Sequence, residues 1–127
     1  MGAVYSVELT MGAKAENTDN IIEAVNTVFE NYGIEHFKKD VNTIEDVIKT
    51  VFVAKSNMSN LTVINKGTYD EYNFNSDFDA SYSWEGVMIA SFEAMAKYLE
   101  DESRLIIYPD NDYDEYVVKN GKAVFVH

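Results

Sequence analysis

The acidic residues near the end of the chain have the spacing of a calcium loop. In "DNDYDEYVVKNG", Asp110, Asp112 and Asp114 occupy loop positions 1, 3 and 5. Such a loop wraps its cation in oxygens and needs glycine at the sixth position for a sharp turn and a bidentate glutamate at the twelfth. Those positions hold Glu115 and Gly121 instead, so no dedicated metal site is expected. A metal-dependent nuclease pattern starts at Pro109-Asp110 and fails at its second carboxylate, because the residue two before Lys119 is Val117. Asp77 and Asp79 fall on one face of an expected strand, about 7 Å apart by strand rise, with Glu85 soon after. Paired carboxylates can cleave glycosides, yet Asn73 and Asn75 share their parity and mark a solvated strand face. Ser76, Ser81 and Ser83 have only His36 and His127 as bases, and neither lies in a nucleophile-elbow context. No glycine-rich phosphate loop occurs. The sequence nominates no catalytic residue, no metal ligand and no cofactor.

Composition sets what must position any site. At 127 residues, with 46% hydrophobic side chains, one proline and six glycines, the chain reads as a single globular domain over residues 1–127. It has no cysteine, which excludes disulfides, zinc-thiolate centres, iron-sulfur clusters and cysteine nucleophiles, and permits a reducing compartment. No apolar run approaches the roughly 18 residues of a membrane span, and the start lacks a secretory pattern, so a cytoplasmic protein is expected. "MGAVYS" fits the Met-Gly-x-x-x-Ser acylation pattern, but the same residues read better as the start of a strand. The net charge is -12, and Arg104 is the only arginine. Direct nucleic-acid binding is disfavoured, because neutralising phosphates supplies most of such affinity. Residues 1–65 carry 9 acids and 5 bases, and residues 66–127 carry 13 acids and 5 bases.

The elements follow from periodicity. "AVYSVELTM" alternates and predicts a half-buried strand ending near Met11, followed by the polar connector "GAKAENTDN". Ile21, Val25, Val28 and Tyr32, with Ile22 and Phe29 beside them, predict a helix over about 19–32 stopped by Gly33. A second helix, capped by Asn42 or Thr43, is expected to end near Lys55, with Ile44, Val47, Ile48, Val51 and Phe52 as its apolar stripe. "LTVINKG" is a short strand. In the next strand Tyr72, Phe74, Ser76, Phe78 and Ala80 take one parity, while Glu71, Asn73, Asn75, Asp77 and Asp79 take the other. A third helix over about 84–100 puts Met88, Phe92, Met95 and Leu99 inward and Glu85, Glu93, Lys97 and Glu100 outward. "RLIIYP" is a strand, and Asn120-Gly121 joins a C-terminal hairpin pairing Tyr116 with Phe125. The order βααββαβββ predicts an α+β fold with three helices on an antiparallel or mixed sheet of about five to six strands.

The remaining chemistry is that of a surface. Tyr69, Glu71, Asp77, Asp79, Tyr82, Trp84, Asp110, Asp112, Tyr113, Asp114 and Glu115 are the candidate partner-binding residues, because tyrosine gives rigid contact area and acids select basic partners. The expectation is a small acidic interaction protein binding a basic protein partner such as a nucleic-acid-binding enzyme. It would act as nucleic-acid-mimic inhibitors of restriction or CRISPR nucleases do, or as an immunity-type protein. Two alternatives stand beside it: a homodimeric scaffold joined through the terminal hairpin, whose two faces are both apolar, and a small enzyme or ligand-binding domain with a site assembled from distant residues. The tetrapeptide Tyr-Asp-Glu-Tyr occurs at 69–72 and again at 113–116. Each copy should open a strand, and both could lie on one acidic rim.

Overall fold

Alternation along β1 (Gly2–Ala13) decides the layering of the molecule. Tyr5, Val7, Leu9, Met11 and Ala13 are buried, while Glu8 and Thr10 between them face water. The computed structural model describes residues 2–54, 59–81, 83–108 and 112–127. β1 lies inside a six-stranded sheet with the order β2-β3-β1-β4-β5-β6, where β2 is Ser59–Asn65, β3 Asp70–Ser81, β4 Arg104–Tyr108, β5 Asp114–Lys119 and β6 Lys122–Phe125. Every pairing is antiparallel. The expected α+β class and element order are therefore found, with the sheet wholly antiparallel.

Three helices, α1 (Thr18–Asn31), α2 (Ile44–Val51) and α3 (Trp84–Met95), cover one face of this sheet. Their apolar stripes, Ile21, Val25 and Phe29, then Val47, Ile48 and Val51, then Met88, Phe92 and Met95, form one core with Tyr5, Val7, Leu9, Phe74, Leu105 and Ile107 of the sheet. Tyr32, placed on the α1 stripe by spacing, is exposed instead. α2 starts at a capping box in which Thr43 Oγ1 accepts from the Asp46 amide at 3.0 Å and Asp46 accepts back from the Thr43 amide at 3.1 Å. It stops at Val51, short of the expected end. Val53 takes a left-handed φ of 58°, and Ala54 N–H reaches back to the Lys49 carbonyl at 2.9 Å, which closes the helix. Lys55 lies outside the described residues. Among the described residues no helix is long and apolar enough to cross a membrane.

β1 runs two residues beyond its expected end because a turn receives its backbone. Gly12 N–H donates to Ser103 Oγ at 3.0 Å, and the Gly12 carbonyl accepts from Glu100 N–H at 2.9 Å. A methyl group at Gly12 would stand 3.0 Å from both the Tyr69 ring and the Glu100 side chain, so any larger residue would have to press these neighbours aside. The C-terminal hairpin has the expected register, Tyr116 with Phe125, Val117 with Val124 and Val118 with Ala123. Asn120 and Gly121 both adopt positive φ, 52° and 76°, as a tight hairpin turn demands.

Candidate protein-interaction face

The side of the sheet away from the helices is built by the odd residues of β3 and the even residues of β1. Across β3 and β1, Asn73 stands beside Thr10, Asn75 beside Glu8, Asp77 beside Ser6 and Asp79 beside Val4. β2 adds Asn60 beside Asn75 and Thr62 beside Asn73. Hydrogen bonds fix these polar groups in place. Tyr108 Oη donates to Glu8 at 2.8 Å, Asn73 Nδ2 donates to Glu71 at 3.1 Å, Thr10 Oγ1 donates to Asn73 Oδ1 at 3.3 Å, and Ser6 Oγ donates to Asp77. Glu8 holds the Tyr108 proton, which raises that phenol above its ordinary value.

Charge is divided across this face. The β2–β3–β1 half presents Glu8, Glu71, Asp77 and Asp79 and no lysine or arginine among its outward residues. The cations Arg104, Lys119 and Lys122 belong to β4, β5 and β6. Arg104 is ion-paired with Glu115, and Lys119 with Glu102. Four carboxylates are thus presented on hydrogen-bonded strands, and among the described residues none of the four has an ion-pair partner.

The candidate residues do not form a single cluster. Glu71, Asp77 and Asp79 are together on the acidic half. Glu115 shares the open face but lies on β5, separated from β3 by β1 and β4, beside Ile106 of β4, and its charge is taken by Arg104. Tyr69 lines a small hollow of about 120 Å³ with Glu71, Glu100 and Asp101 at one end of the sheet. Asp112 and Tyr113 lie at the other end, where Tyr113 stacks on His127 at 4.0 Å and packs on Tyr108 at 5.6 Å, and Asp112 accepts from the Tyr113 amide at 2.8 Å. That amide and His127 together lower the Asp112 pKa. Asp114 turns to the helix side, where its carboxyl meets Glu85. Burial first, and then the hydrogen bond and charge of Asp114, push the Glu85 carboxyl up to about 7, so this first-turn residue of α3 is not the solvated group its spacing suggests. Trp84 is half-buried, donating Nε1–H to the Val51 carbonyl at 2.9 Å and meeting Phe37 edge-on at 5.7 Å, which makes it a clasp between α2 and α3. Tyr82 and Asp110 fall outside the described residues.

The two Tyr-Asp-Glu-Tyr segments each open a strand, and in each the second tyrosine, Tyr72 or Tyr116, turns to the packed face. They do not share a rim. β1 and β4 separate β3 from β5, and the antiparallel pairings put the start of β3 beside Ala13 and the start of β5 beside Ile107, at opposite ends of the sheet. Tyr108 belongs to the surface tyrosines of the second half, whereas Glu8, which accepts its proton, is singled out by neither charge distribution nor motif spacing. The alternation of β1 already placed Glu8 outward, but its neighbours Asp77 and Asn75 come from a strand far away in the chain. Among the described residues no group of three or more histidine, aspartate or glutamate side chains is arranged to hold a metal ion. A cleft of about 490 Å³ between α1 and α3 is a surface groove open to solvent. No protein-family model, curated protein or solved structure matches this chain.

Proposed function

We propose that this chain is a cytoplasmic acidic interaction protein whose open sheet face binds a basic protein surface, in particular the cationic groove of a nucleic-acid-binding enzyme, and so inhibits it. The observation that carries the reading is the base-free half of the open face, with Glu8, Glu71, Asp77 and Asp79 set among asparagine and threonine side chains. A groove lined with lysine and arginine is complementary to such a surface in charge, and a rigid sheet presents its carboxylates at little entropic cost. The net charge of -12 draws the same partners from a distance and repels nucleic acid itself.

The test is displacement of a labelled DNA duplex from basic nucleic-acid-binding enzymes, followed by fluorescence anisotropy at rising salt. The combined variant Glu8→Gln, Glu71→Gln, Asp77→Asn and Asp79→Asn keeps the hydrogen bonds and removes the charge. At roughly 0.2–1 kcal/mol for each of four exposed pairs, it should weaken displacement by about fourfold to a thousandfold. Displacement that ignores ionic strength, or that the combined variant performs as well as the wild type, overturns the reading.

A further inference from the structure

We infer that β6 is a subunit interface along which two copies of this chain pair antiparallel, joining their sheets into one of twelve strands. β6 is an edge strand, so one row of its backbone N–H and C=O groups has no ladder partner in the sheet. On it and just beyond it stand Val124, Phe125 and Val126, which are 41%, 55% and 50% exposed. Three consecutive exposed hydrophobic residues put apolar surface on both sides of the edge, as an added strand would require.

Charge identifies the occupant as a second copy. The terminal hairpin is polarised: at its turn Lys122 stands beside Lys119, whose charge Glu102 takes, and at its open end the exposed acid is Asp112, because Asp114 turns to Glu85 and Glu115 pairs with Arg104. Lys122 has no ion-pair partner among the described residues. An antiparallel dyad along β6 brings the turn end of one hairpin to the open end of the other, so Lys122 approaches the partner subunit's Asp112, and the dyad repeats the contact. A register centred on Phe125 sets Val124 against the partner subunit's Val126 and Phe125 against the partner subunit's Phe125. Tyr116 and Phe125 already meet edge-on at 5.2 Å, so this register extends the pair into an aromatic row across the dyad. The opposite edge, β2, also exposes Val63 and Ile64 but carries no charged residue at all, and so offers two chains of net charge -12 no local attraction to offset their repulsion.

Sedimentation equilibrium of the full chain from about 1 μM to about 1 mM decides the matter. The wild type should show a monomer–dimer equilibrium that weakens with salt. Val124→Glu, at an exposed site, should raise the dimer dissociation constant about tenfold or more, and Lys122→Glu should do the same by turning attraction into repulsion. Thr62→Glu on β2 should leave it unchanged. Far-UV circular dichroism confirms that each variant is folded. A wild type that stays monomeric throughout the range, a dimer that survives both β6 variants, or one that Thr62→Glu alone abolishes overturns the inference. The measurement contains no partner protein, so its outcome is independent of the acidic-face reading.

Discussion

Replacing Glu85 by glutamine probes a contact between like charges at the junction of α3 and β5. In the fold, burial and then Asp114 raise the Glu85 pKa from 4.5 to about 7. Between those two values the folded protein holds a proton that the unfolded chain has lost, so stability falls as pH rises through the interval. Below it both states are protonated and nothing differs. Above it the full penalty of a half-buried carboxylate facing another carboxylate is present. Unscreened, the interval corresponds to about 3 kcal/mol. Glu85 is only half-buried, and water screens the pair to about 1 kcal/mol. Glu85→Gln should therefore be close to the wild type at about pH 5 and more stable by about 1 kcal/mol at about pH 8, read as a urea midpoint higher by about 0.5 M. Asp114→Asn should recover a smaller part, because burial is the leading cause and remains. A gain that is the same at both pH values, or a variant less stable at the higher one, would show that the pair does not strain the fold.

Two further changes test how the ends of elements are tied. Ser103 is 3% exposed and accepts the Gly12 amide, so Ser103→Ala leaves a buried donor unpaired and should cost about 1–3 kcal/mol in urea unfolding; an unchanged midpoint would mean that β1 is not anchored there. Thr43→Ala removes the acceptor of the α2 capping box and should cost about 1 kcal/mol, whereas Thr43→Ser should retain most of the stability, and equal loss in both would refute the cap.

What the sequence made legible was local. The alternation of β3 put Tyr72, Phe74, Ser76 and Phe78 inward and its acids outward as found, and Asn120-Gly121 gave the hairpin register residue for residue. Both signals depend on period and turn chemistry within a few residues. What was hidden depends on distant partners. β1 continues through Gly12 because Ser103 and Glu100 satisfy its backbone. Glu85 is half-buried and meets Asp114, which arrives from β5, and Trp84 is engaged because α2 ends at its indole. The acidic half was only partly visible for the same reason: periodicity gives the face on which Asp77 and Glu8 lie, but not that β3 and β1 are neighbours.

The place of β1 also has a kinetic consequence. β2 and β3 form a hairpin from successive chain, and β4, β5 and β6 form a meander, so each group can pair locally. Only β1 touches both groups, with Ser6 between Asp77 on one side and Tyr108 on the other. The strand that comes earliest in the chain is thus the keystone of the sheet. It must wait, apolar side exposed, for partners encoded far downstream, and its insertion closes the longest loops in the molecule. Contact order makes such a step slow, and the two halves of the sheet become one cooperative unit only when it is complete.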